Sequence, residues 1–221
     1  MGWDYNAGME ALPYEDLRSR PALQRLREAE EFFMKQDPVH ATLERLAKRL
    51  QEEGIPYATI GGMALNLHGY ERTTRDVDIL MTAQAVEQFV ERCMGRGYLP
   101  KFSGARKSFR DTVSQVAVEV LFTGEYPGDG KPKPVVFPDP ENAYVEIDGI
   151  RVISLEKLIE LKLASGLSAA HRLRDLADVQ DLIVALNLPL ELREQLDESV
   201  RVEYARLWEA ARGADENGLS E

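Results

Sequence analysis

The stretch GGMALNLHGYERTTRDVDILM, Gly61 to Met81, decides the fold. Apolar runs flank its two ends: Tyr57-Ala58-Thr59-Ile60 precedes the glycines, and Ile79-Leu80-Met81 follows Asp76-Val77-Asp78. Both read as strands. The unit is therefore strand, Gly-Gly turn, short helix, polar turn, and a strand that carries two carboxylates. Such a layout suits a site where backbone amides hold a phosphate and carboxylates hold a divalent metal.

Residues two apart on a strand share a face, so Asp76 and Asp78 project together while Val77 and Ile79 enter the opposite face. Two adjacent carboxylates repel. A divalent cation between them, with magnesium suited to hard oxygen ligands, removes the conflict. The plain alternative is a pair of solvated acids near a strand end. Gly61-Gly62, directly before a helix, lets a phosphate approach the backbone; the alternative is a tight turn that needs positive φ. A third acid on a neighbouring strand would complete a two-metal site. Glu119, inside the β-branched run Val116 to Phe122, is the candidate, because a carboxylate there is costly to bury without a partner. Its alternative is an edge-strand acid facing water.

Outward from this centre, Pro38 at a first helical position with Asp37 as cap starts a helix bearing Leu43, Leu46, Ala47 and Leu50 on one face, and Gly54 ends it. Thr82 caps the next helix, whose apolar face is Ala85, Val86, Phe89, Val90 and Cys93. Extended runs follow at Tyr98 to Phe102, Ser108 to Val113 and Val116 to Phe122. Residues 123–141 are rich in Pro and Gly and read as a functional loop or a plain connector. An Asp148-Gly149 turn joins two short strands into a hairpin. From Ser154 the pattern is helical, with three helices. The expected domains are an arm and helix over 1–37, an α/β core over 38–153, a helical region over 154–213 and a disordered tail over 214–221. The fold class is α/β (α+β), a mixed sheet with helices against it.

The chain has 221 residues and a net charge of −11, which argues against an extended double-stranded nucleic-acid groove. The single cysteine, Cys93, excludes an internal disulfide. No signal peptide or membrane-length apolar run is visible, so a cytoplasmic protein without membrane contact is expected. A basic cluster, Arg106, Lys107 and Arg110, either touches an acceptor phosphate or simply faces solvent. His68 reads as packing or capping.

Gly-Gly, a helix, Asp-x-Asp between apolar residues and a later strand acid resemble the DNA polymerase β-like nucleotidyltransferase superfamily, over about Tyr57 to Leu186. The likeness is greatest to small stand-alone members such as the nucleotidyltransferase toxins of type IV toxin–antitoxin (abortive-infection) systems. The run ISLEKLIELKLASG…HRLRDLADVQDL resembles the family's lysine motif and its Arg-Asp…Asp motif. The resemblance implies Mg2+ or Mn2+ on Asp76, Asp78 and Glu119, which are also the expected catalytic residues. It implies an NTP, ATP among the options, bound through Gly61, Gly62, Arg72, Thr74, Lys162, Arg174 and Asp178, with Asp175 helping to shape the site. An NMP would pass to a hydroxyl on an RNA end such as tRNA, on a protein or on a small molecule. An antitoxin partner is implied if the chain is a toxin. Glu119 departs from the family's more common Asp. A non-enzymatic module for nucleotide sensing or protein binding on the same scaffold is the alternative.

Overall fold

The computed structural model describes residues 38–218, with side chains through Gly213. The expected N-terminal arm, its helix from Pro21, the Asp37 cap and residues 219–221 lie outside the described residues. From Pro38 onward the chain forms one compact unit that holds both the expected α/β core and the expected helical region.

The centre is a seven-stranded mixed sheet in the order β3-β4-β5-β2-β1-β7-β6. Its strands are β1 (Ala58–Ile60), β2 (Asp76–Met81), β3 (Tyr98–Pro100), β4 (Ser108–Asp111), β5 (Ala117–Phe122), β6 (Tyr144–Ile147) and β7 (Ile150–Ile153). β2 lies in the middle, parallel to β5 and antiparallel to β1. Asp78 stands opposite Ile60 on one side and Glu119 on the other.

The helices are α1 (Pro38–Glu52), α2 (Gly61–Leu67), α3 (Ala83–Cys93), α4 (Leu155–Ser168), α5 (Leu173–Ala185) and α6 (Glu198–Gly218). α1 and α3 cover one face: Leu46, Leu50 and Phe89 meet Ile79, Met81, Val118 and Val120 there. This is the face that alternation assigned to Val77 and Ile79. Phe89 also packs on Tyr98 and Phe109, with ring centroids 5.2 and 5.1 Å away. The expected apolar stripe of α3 is narrower than its sequence suggests, because Val90 is exposed. Thr82 caps α3 by accepting from the Ala85 amide at 3.1 Å. The Asp148-Gly149 turn has both residues at positive φ, as a two-residue hairpin requires.

The other face belongs to α4 and the helices behind it. α4 is buried nearly all round, including the charged Glu160 and Lys162. The expected third C-terminal helix is broken: a 3-10 segment, Leu190–Gln195, precedes α6. α6 then continues to Gly218, into the stretch expected to be disordered.

Thr59, on central strand β1, is fully buried, and among the described residues its hydroxyl has no hydrogen-bond partner. A buried hydroxyl without a partner costs about 1–3 kcal/mol. Thr59→Val keeps the β-branched shape and removes that polar atom. It is expected to stabilise the protein by roughly 1 kcal/mol, read as a higher urea midpoint. A lower midpoint would show that the hydroxyl has a hidden partner.

Candidate active site

A cleft of about 360 Å³ opens where the ends of β1 and β2 meet α4. Ile60, Gly61, Gly62, Thr74, Asp76, Asp78 and Leu121 form its sheet side. Leu158, Leu161, Lys162, Ser165, Arg172 and Asp175 form its helical side, and Pro127 and Phe137 close it from the 123–141 segment.

The two aspartates differ from the other acids nearby. Among the described residues Asp76 accepts only from the Thr74 hydroxyl, at 3.1 Å, and from no base. Asp78 makes no side-chain hydrogen bond or ion pair among the described residues. Burial first, and then the neighbouring Asp76, push the Asp78 carboxyl up to about 7, while Lys162 works in the opposite direction. Two near, unneutralised carboxylates on one strand face are the donor set that attracts a divalent cation.

Gly61 meets the alternative reading of a turn at positive φ, and both glycines have a further reason that sequence reasoning missed. Gly61 has φ +69°, and a Cβ there would lie 2.0 Å from Asp78 Oδ2. A Cβ on Gly62 would lie 2.7 Å from Thr74 Cβ. Both glycines make room for the residues of the Asp-x-Asp turn, whatever else they admit. Gly61→Ala is therefore expected to displace the Asp78 carboxylate. A shift of about 1 Å at a reacting centre can cost on the order of 100-fold in rate, and a transfer assay on folded G61A protein reads it. Near-normal turnover would mean that the carboxylate tolerates the shift.

The polar turn before β2 is held from both ends. Asn66 bonds the Arg72 backbone twice, accepting from its amide at 2.6 Å and donating to its carbonyl at 2.9 Å. Tyr70 donates to Asp181 at 2.6 Å. The Arg72 side chain reaches Asp178 of α5 at 2.5 Å. Lys162 also donates to Asp178, at 2.6 Å, and sits 3.2 Å from Asp175. Asp175 in turn holds Ser165 and Arg172. Arg72, Lys162 and Arg172 thus share two acids, leaving one net positive charge facing the aspartates across the cleft.

Of the residues expected at the site, Gly61, Gly62, Arg72, Thr74, Asp76, Asp78, Lys162 and Asp175 line the cleft. Asp178 is buried behind them, holding Arg72 and Lys162. Arg174 is not brought there: it is exposed, and Arg172 lines the cleft in its place. Glu119 shares the face of Asp78 but is not among the lining residues. Its carboxylate accepts from Lys101 at 2.8 Å and from the Ser108 hydroxyl. Among the described residues no three acids or imidazoles converge as a metal cluster. His68 bonds the Ile153 carbonyl at 2.8 Å, a packing role.

The 123–141 segment is docked, not loose. Gly124 and Phe137 are joined by a backbone bond of 2.8 Å, and the Phe137 amide donates to the Glu125 carbonyl at 2.9 Å. Gly128 presses on α4, where a Cβ would lie 2.0 Å from Ser168 Oγ. Among the described residues no helix is long and apolar enough to cross a membrane.

No curated protein matches the sequence. Among solved structures, a Thermotoga maritima protein assigned as a nucleotidyltransferase is 22% identical over 66% of this chain and 96% of its own, with a TM-score of 0.48. One from H. pylori is 17% identical over 85% of this chain and 99% of its own, with a TM-score of 0.45. A lincosamide antibiotic adenylyltransferase solved with lincomycin bound is 15% identical over 65% and 95%, with a TM-score of 0.41. At these values the likeness concerns the fold alone. A family model matches residues 7–213, nearly the whole sequence, and by that match the chain belongs to the family of uncharacterised nucleotidyltransferases.

Proposed function

We propose that the protein transfers a nucleoside monophosphate from an NTP to a hydroxyl acceptor, with Mg2+ or Mn2+ held by Asp76 and Asp78. The observation that carries this reading is the pair of carboxylates at the cleft, neither of them paired with a basic side chain among the described residues. They fit magnesium, which is commonly bound by one or two carboxylates together with substrate phosphates rather than by an all-protein cage. When bound, such a cation polarises the phosphate and offsets the charge that develops on the leaving pyrophosphate.

The chain's own residues would share the remaining work. Gly61 and Gly62 line the cleft at the start of α2, which has no side-chain cap among the described residues, and their backbone amides would meet phosphate oxygens. Arg72, Lys162 and Arg172 supply a positive wall whose positions Asp175 and Asp178 fix. Thr74 orients Asp76. The acceptor hydroxyl oxygen would attack the α-phosphorus in line and lose its proton to solvent, and the bond to the bridging oxygen would break to release pyrophosphate. An RNA end, a protein side chain or a small molecule can fill the acceptor role.

Incubation with labelled NTPs, Mg2+ and a cell extract tests the reading, with the labelled species identifying the acceptor. Asp76→Ala should abolish the labelling; full activity in that variant would overturn the assignment. The engagement of Glu119 by Lys101 and Ser108 favours a second reading, a nucleotide-sensing module. NTP binding without turnover across many acceptors would select it.

A further inference from the structure

The β3–β4 hairpin delivers a cation to a carboxylate beside the candidate active site. Glu119 is the cross-strand partner of Asp78, in the same row of the parallel β2–β5 pair. Adjacent strands lie about 4.8 Å apart, so its carboxylate starts one strand spacing from that of Asp78. Three acids, Asp76, Asp78 and Glu119, therefore share one sheet face. Only the third is neutralised. Lys101 Nζ lies 2.8 Å from one of its oxygens, and the Ser108 hydroxyl donates to the other.

Backbone bonds set this arrangement. The Lys101 amide donates to the Ser108 carbonyl at 2.9 Å, so the two residues that hold Glu119 close the hairpin together. The Val120 amide, next to Glu119, donates to the Lys107 carbonyl at 2.7 Å and ties the hairpin to β5. Lys101 makes no other ion pair among the described residues.

We propose that Lys101 supplies at Glu119 the positive charge that a second divalent cation would otherwise supply, so that the site takes one cation, on Asp76 and Asp78. Lys101 is then a positioning residue: it keeps the Glu119 carboxylate fixed and closed to metal. The Glu119 side chain is long enough to carry its carboxylate to both hairpin residues at once. The inference rests on the proposed cation at Asp76 and Asp78, and not on which acceptor is used.

Counting bound Mn2+ on the full-length protein by electron paramagnetic resonance, without nucleotide, tests it. Wild type should bind one ion, Lys101→Met two, and Lys101→Arg one again, because the charge is restored. Lys101→Met/Glu119→Gln should return to one. Circular dichroism confirms that each variant is folded. Two ions on wild type, or one on Lys101→Met, would overturn the inference. No ion on any variant would remove the Asp76–Asp78 cation and this inference with it. Failure of the transfer assay alongside the expected counts would reject nucleotidyl transfer and leave the role of Lys101 standing.

Discussion

Asp78→Asn should make the metal-free protein more stable at pH 8 while eliminating nucleotide transfer. The Asp78 carboxyl is pushed up from 3.8 to about 7, by burial first and by Asp76 next. A carboxyl with a raised folded-state pKa binds its proton more tightly in the folded state than in the unfolded one. Stability therefore rises as pH falls through about 7, and the gain is complete below the unfolded value of 3.8. Above pH 7 the folded protein carries an ionised, poorly solvated carboxylate. The difference is on the order of 4 kcal/mol as an upper bound, since Asp78 keeps some contact with solvent, which screens its charge. The amide of the Asp78→Asn variant has no proton to lose and should escape this cost. Urea midpoints in chelator at pH 5 and pH 8 check the argument: wild type should be the less stable of the two at pH 8, and the gap should narrow at pH 5. Adding Mg2+ at pH 8 should raise the wild-type midpoint and leave Asp78→Asn unmoved. Equal wild-type stability at both pH values would refute the burial of an unmatched charge.

The local part of this site was legible in sequence because its causes are local. Strand alternation places Asp76 and Asp78 together, and glycine before a helix marks the close approach. What the glycines approach was not legible, because Asp78 meets Gly61 only once β1 and β2 pair in a particular register. The same holds for Glu119. Its need for a partner followed from its apolar surroundings, but the partner, Lys101, comes from a hairpin whose pairing the sequence does not specify. Arg174 is a different kind of miss. Asp175, Asp178, Val179 and Leu182 recur at helical spacing and define the inward face of α5. Arg174 lies outside that stripe, and its motif position outweighed the geometry. Arg172, in the 3-10 turn before α5, had no periodic signal to give it away. In the 123–141 segment the useful signal was the apolar pair Val135 and Phe137 among the prolines, both of which the structure buries.

Asp178→Ala should be among the most destabilising single changes in the C-terminal helices. Asp178 is 3% exposed, and one of its oxygens receives both Arg72, at 2.5 Å, and Lys162, at 2.6 Å. Among the described residues, removing it leaves Arg72 without an acid and Lys162 with only the longer contact to Asp175, at 3.2 Å. Stripping one partner from a buried ion pair typically costs about 3–5 kcal/mol, because the charge left behind is uncompensated. For a domain of this size that is a fall of roughly 10 °C in Tm. Asp175→Ala should cost less, since Lys162 keeps Asp178 and Arg172 is half in solvent. A double-mutant cycle separates charge from packing. If Arg72→Ala and Asp178→Ala are each costly, their combination should cost less than the sum, because each removes the other's reason for being buried. Additive costs would mean that the two side chains do not support one another. The pair would then have no part in joining the turn before β2 to α5, and the positive wall of the cleft would rest on Lys162 and Arg172.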